Sequence, residues 1–178
     1  TLERSTLLGK GTDAYLENMK LCSDTEGLRA GLLIDIHDAG EHAVRLVNNE
    51  LFASGNHGIE ARGTKLDILH NTIFAAEGHG ILWDGRACTG VGSACAVKIQ
   101  GNLISEPRIT SLKVEGSSDA LGGLTLSDNL SWSSTQTSFN HFKYNDSSYG
   151  LTACQSMFRT YDLCQNSVQA DPRLTDPT

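Results

Sequence analysis

Asp35, His37, Asp38, Glu41 and His42 crowd together in the stretch LIDIHDAGEH. Imidazoles and carboxylates at that density can pass protons to and from a substrate, or bind a divalent cation such as calcium or zinc. His37 and His42 lie five apart without HExxH spacing, so a protein with no metal cofactor is the simpler expectation and calcium or zinc the alternative. Lys65, Asp84, Arg86 and Asp119 add cations and carboxylates farther along. His57 and His79 recur in matching HGI triplets, as a pair able to hold an anion or as rungs of a polar ladder with Glu26 and Thr110. Loop residues are usually polar and solvated, so the plain reading of the acidic, basic and LIDIHDAGEH groups is surface, and that of His57 and His79 is the ladder. Thr1 suggests an N-terminal nucleophile, but that chemistry requires a sandwich fold, and this sequence repeats.

The elements that must position these residues are the units of that repeat. Aligned on Asn18, Asn49, Asn71, Asn102 and Asn129, the chain reads AYLENMKL, RLVNNELF, DILHNTIF, KIQGNLIS and TLSDNLSW. Tyr15, Leu46, Ile68, Ile99 and Leu126 stand three residues before each Asn, and Leu28, Ile59, Ile81, Leu112 and Phe139 ten residues after. Pairs such as Leu66-x-Ile68 and Val97-x-Ile99 alternate as a strand does when one face is buried. The shortest unit, from Asn49 to Asn71, spans 22 residues, enough for three short strands and their turns. The expectation is all-β: a right-handed parallel β-helix of about five to six coils, with stacked Asn residues taking left-handed turns and bonding along their column. Residues 1–139 would form the coils and 140–178 an irregular C-terminal cap.

With the arm after Asn read as constant, every length change falls at one corner, between Leu28 and Val44, Ile81 and Val97, and Leu112 and Leu124. Excising Ala87 to Cys95 aligns Arg62, Gly63, Thr64, Lys65 and Leu66 with Asp84, Gly85, Arg86, Ala96 and Val97. Insertions gathered on one face of a solenoid commonly make its binding surface. That corner holds Asp35, His37, Asp38, His42, Lys65, Asp84, Arg86 and Asp119. Arg45, Asp67 and Lys98, each four before an Asn, alternate in sign like an ion-pair ladder. Trp83 shares a column with Ala61 and Val114 and reads as core, while Trp132 could cover core or stack on a ring.

A net charge of −7 and the absence of a clustered basic face argue against nucleic acid as a partner. No apolar run approaches the roughly 18 residues that span a bilayer. By proximity, Cys88 pairs with Cys95 and Cys154 with Cys164, leaving Cys22 over. Two disulfides would place the protein outside the cytosol, extracellular or at a cell surface.

Through GNHGIEARGTKLDILHNTIF and GHGILWDG, over residues 12 to 132, the chain resembles the pectate-lyase-like superfamily of parallel β-helix repeat proteins, and QADPRLTDPT is similar to the closing segment of many secreted members. The resemblance implies a polysaccharide partner and leaves lyase, glycoside hydrolase and adhesin open. A lyase needs a cation against a uronate carboxylate and a base for the neighbouring proton, roles that Arg86 or Lys65 and His37 or His42 could fill. A hydrolase needs two carboxylates, with Asp35, Asp38 and Asp84 as candidates. His37, Asp38 and Arg86 are thus the catalytic candidates, and Asp35, His42, Lys65, Asp84 and Asp119 the substrate-binding ones. The alternative is a structural or adhesive solenoid, self-associating through an uncapped N-terminal edge or forming the end of a longer parent chain.

Overall fold

Alternating apolar side chains cannot leave water unless strands pack face to face, and here three parallel sheets meet that need. The computed structural model describes residues 5–7, 14–17, 20–22, 30–35, 43–52, 56–91, 94–134 and 140–171. The first sheet orders β1 (Ser5–Leu7), β4 (Ala30–Asp35), β7 (His57–Arg62), β10 (His79–Asp84), β13 (Thr110–Glu115), β16 (Phe142–Tyr144) and β17 (Ser147–Tyr149). The second orders β2 (Ala14–Glu17), β5 (Val44–Val47), β8 (Lys65–Leu69), β11 (Ala96–Gln100) and β14 (Leu124–Ser127). The third orders β3 (Lys20–Cys22), β6 (Glu50–Phe52), β9 (Thr72–Phe74), β12 (Leu103–Ser105), β15 (Leu130–Trp132) and β18 (Val168–Gln169). As far as β16 the chain visits the second, third and first sheets in rotation, each strand lying parallel on its equivalent in the triplet before. The protein is thus mostly β, in an order compatible with a β-helix or solenoid.

Register stacks like on like. Leu32, Ile59, Ile81, Leu112 and Phe142 form one buried column of the first sheet, and Ile34, Ala61, Trp83 and Val114 the next. Leu46, Ile68, Ile99 and Leu126 line the second sheet, and Leu51, Ile73 and Ile104 the third. Each such side chain contributes about 1.5–3 kcal/mol on leaving water. Trp83 is fully buried, and its indole Nε1 donates to the Gly63 carbonyl at 3.1 Å, so it is core as the column reading expects. The HGI glycines have a packing reason. A Cβ on Gly58 would stand 2.3 Å from Ile73 Cγ2, and one on Gly80 2.2 Å from Ile104 Cγ2.

The Asn column bonds as expected, with one correction. Asn49, Asn71, Asn102 and Asn129 are all 1% exposed, and each of the first three donates its backbone N–H and its Nδ2 to the next Asn's Oδ1. The left-handed turn, however, belongs to the residue before each: Asn48, His70, Gly101 and Asp128 have φ of 59°, 55°, 65° and 57°. The left-handed residue turns the chain, so the following Asn can keep its amide in the sheet's hydrogen-bonding row.

Register also corrects the alignment at both ends. Leu16 pairs with Leu46 and Tyr15 with Arg45, so the first unit is shifted by one residue, while Asn18 itself lies outside the described residues. Ile59 pairs with Leu32, not Leu28, and Leu112 with Phe142, not Phe139. The ten-residue arm therefore holds for the three middle units only. In the first and last units three extra residues enter between the third and first sheets, and the first insertion at the candidate corner is five residues, not nine. Glu26 does not share the His57 column, which holds Ala30.

Residues 140–171 add β16, the antiparallel β17, β18 and the helix α2 (Leu151–Met157). Phe158 meets Phe142, Tyr144 and Tyr149 edge-on, at centroid distances of 5.3, 5.9 and 5.1 Å. The fully buried Cys154–Cys164 disulfide ties α2 to the chain that follows it, and Cys164 donates its N–H to the Leu126 carbonyl at the outer strand of the second sheet.

Candidate functional site

Parallel register brings Arg62, Asp84 and Glu115 side by side at the ends of β7, β10 and β13, with Asp35 next in line on β4. Because Ala61, Trp83 and Val114 point inward, the residues after them face out. Asp35 is thus the last residue of a strand rather than part of an insertion.

Just past Asp84 the chain tightens into a 3-10 turn, Gly85–Cys88, capped by the Asp84 carboxylate, whose Oδ1 accepts from the Arg86 backbone at 3.1 Å. That turn folds Arg86 back on its own cap. Arg86 Nε donates to Asp84 Oδ1 at 2.8 Å and Nη2 to Oδ2 at 2.6 Å, a two-point grip, while Arg62 Nε reaches Oδ2 at 3.0 Å. Arg86 Nη2 lies 3.8 Å from Glu115 Oε2, and Lys113 Nζ holds Glu115 Oε1 at 2.5 Å. Five charges on three neighbouring rungs thus form one chain: Arg62, Asp84, Arg86, Glu115, Lys113.

The insertions hold this chain in place. The Cys88–Cys95 disulfide closes the neck of its loop, with both cysteines buried. The helix α1 (Ser118–Gly122) belongs to the next insertion, where Asp119 Oδ2 accepts from Gly90 N–H at 3.0 Å, and Thr89 and Ser117 hydroxyls meet at 3.2 Å. A Cβ on Gly123 would strike Cys95 Sγ at 2.5 Å, so the two insertions touch with no room to spare.

Electrostatics decides what these groups can do. Burial alone would raise the Asp84 carboxyl, but hydrogen bonds from the Arg86 side chain and backbone and from Arg62 reverse that and hold it at about 2. With both oxygens occupied and the proton given up well below neutrality, Asp84 stands as a carboxylate that holds cations. Arg86 is raised still further above the usual guanidinium value, chiefly by the Asp84 hydrogen bond. Its side chain is 66% exposed, and among the described residues Nη1 has no partner. What the corner presents is a fixed cation.

The structure brings Asp84 and Arg86 together and sets Asp119 as a clamp between loops. Lys65 opens β8 on the second sheet, in register with Ala96. His37, Asp38 and His42 lie outside the described residues, as does the Asp35 side chain. No group of three or more His, Cys, Asp or Glu side chains able to hold a metal occurs among the described residues. No described helix is long and apolar enough to cross a membrane.

Sequence reasoning missed Arg62, Lys113, Glu115 and Lys143. Lys143 pairs with Lys113 in register, and among the described residues its ammonium has no ion-pair partner. Aligning Phe142 rather than Phe139 with Leu112 is the signal that would have placed it there. With Arg62 on β7, Arg86 just after β10, Lys113 on β13 and Lys143 on β16, the outer face of the first sheet carries one cation on each of four successive rungs, interspersed with Glu60, Asp84 and Glu115.

His57 and His79 stack at 5.1 Å and 13°, and the His79 backbone donates to His57 Nδ1 at 3.1 Å, a polar ladder that continues to Thr110. Burial first, then the neighbouring His57, Lys113 and Lys143, push His79 down to about 3, so it is neutral in any ordinary buffer. Arg45 and Asp67 pair at 3.1 Å on the second sheet.

Comparison with protein-family models, curated proteins and solved structures returned no match, so the likeness to the pectate-lyase-like superfamily rests on the repeat itself.

Proposed function

We propose that this chain is a right-handed parallel β-helix of the pectate-lyase-like kind, working outside the cytosol, that binds an acidic polysaccharide across the outer face of its first sheet. The observation that carries this reading is Arg86: a guanidinium gripped at two points by Asp84, standing on a disulfide-closed corner, with free N–H donors turned to solvent. A planar cation held in one orientation suits a ligand carboxylate, because little side-chain freedom is lost on binding. Lys113 and Lys143 are register neighbours at the strand spacing of about 4.8 Å, so a polymer laid across the strands passes from one to the other beside Arg86. Two disulfides favour an oxidising location.

Hydrolysis would use Asp84, held ionised, as base or nucleophile, with Asp35 and Asp38 as the candidates for the acid. Lyase chemistry would add a base to the cation at Arg86, and His37 and His42 remain the candidates for it. Calorimetry with polygalacturonate, beside a neutral glucan, tests the reading. Arg86→Ala should weaken polyuronate binding at least about tenfold, with an affinity that falls as salt rises. Equal binding by wild type and variant, or equal binding of the neutral glucan, would sink it. The same samples, followed by the ultraviolet absorbance of the unsaturated product, show whether the bound polymer is cleaved.

A further inference from the structure

Toward the C-terminal end the interior changes character. On the third sheet the buried column runs Leu51, Ile73, Ile104 and then Ser131. On the first sheet the position before Ile59, Ile81, Leu112 and Phe142 runs Gly58, Gly80, Ser111 and then His141. Glycine at this position makes room for the isoleucine one rung on, as Gly58 does for Ile73 and Gly80 for Ile104. Where serine stands at 111 in place of glycine, serine also stands at 131 in place of isoleucine, so both positions turn from apolar to polar.

Ser111, Ser131 and His141 are each fully buried. The Ser131 hydroxyl bonds His141 Nδ1, whereas among the described residues His141 Nε2 and the Ser111 hydroxyl have no partner. An apolar set would fill this space without leaving polar atoms unsatisfied, so the polar set invites another explanation. Its position supplies one. His141 immediately precedes β16, the strand through which residues 140–171 join the first sheet, and its carbonyl accepts from Leu112 at 3.2 Å.

We infer that the Ser131–His141 pair is an acid-sensitive latch, which holds residues 140–171 against the preceding rungs while the imidazole is neutral and releases them when it takes a proton. Burial disfavours a charged ring in this site. Among the described residues, Ser131 on β15 bonds the ring and Ser111 on β13 is its neighbour in register; Lys113, Glu115 and Lys143 alternate with buried neighbours and face outward, and α2 contributes no charged residue. Burial holds His141 near 4, well under the ordinary imidazole value of 6.5, whereas a solvated ring in the released segment would take its proton near 6.5. The latch is independent of what the outer face binds.

Hydrogen exchange of the full chain, read by peptide mass and corrected for intrinsic rates, tests it. Between about pH 7 and about pH 4.5, linkage predicts about 60-fold faster exchange in residues 140–171, with β8 and β10 still protected. His141→Asn, whose amide can still bond Ser131 but takes no proton, should abolish the acid response. Ser131→Ala, which keeps the imidazole, should loosen the segment at neutral pH as well. Exchange in residues 140–171 that ignores pH, acid loosening spread evenly over the whole chain, or a His141→Asn protein that loosens like wild type would each overturn the latch.

Discussion

Asn71 Oδ1 accepts two hydrogen bonds from Asn49, one from its backbone N–H at 3.0 Å and one from its side-chain Nδ2 at 2.9 Å. The Asn71 amide nitrogen in turn donates to the Leu46 and Leu69 carbonyls and to Asn102. Removing this one side chain strands polar atoms on the rungs either side of it. Asn71→Ala should cost about 3 kcal/mol in urea unfolding, well above an average surface substitution. A cost under about 1 kcal/mol would show that water replaces the ladder freely.

Glycine at 80 is a matter of space. Its added methyl would meet Ile104 Cγ2 at 2.2 Å and the Ser111 carbonyl at 2.8 Å. Gly80→Ala should destabilise by about 2 kcal/mol or more. Combining it with Ile104→Val should recover part of that loss, because the two changes relieve one contact. Strict additivity in the double-mutant cycle would contradict the contact.

The Cys88–Cys95 bridge closes a short loop at the proposed binding corner. Replacing both cysteines by serine should cost about 2.5 kcal/mol by the loop-entropy relation and also weaken polyuronate binding, since Gly90 and Asp119 would lose their fixed partners. Thermal unfolding and calorimetry on the same variant check the two effects separately.

Stability should fall as pH drops below neutrality. His79 and His141 are held at about 3 and about 4 in the fold, under the 6.5 of an unfolded chain, so the unfolded state binds protons first. The stability they confer is complete above pH 6.5 and is lost progressively as pH falls through the folded values. The share from His141 is about 3 kcal/mol at the acid limit. Asp84, held at about 2 against 3.8, adds stability that is present above 3.8 and lost below it. Denaturant midpoints measured from about pH 7 to about pH 3 should slope downward, and His141→Asn should flatten the upper part of that slope.

The sequence by itself determined what is periodic. Alternation in Leu66-x-Ile68 and Val97-x-Ile99, the Asn ruler and the 22-residue unit required stacked parallel strands with one face inward, and the cysteines paired as their proximity suggested. A repeat is legible because each rung repeats the same physical demand, namely to bury one face and satisfy one row of amides. Where the demand changes, at Leu32 and Phe142, a pattern copied from the middle rungs misplaces the register by three or four residues, and only pairing between strands corrects it. Tertiary structure alone decided which charges meet. Arg86 turns back on Asp84 because a 3-10 turn follows the strand, Arg62 reaches the same carboxylate from a residue 22 positions earlier, and Ser131 finds His141 inside the final rungs. These contacts depend on turn geometry and on register between distant segments, neither of which a local pattern encodes.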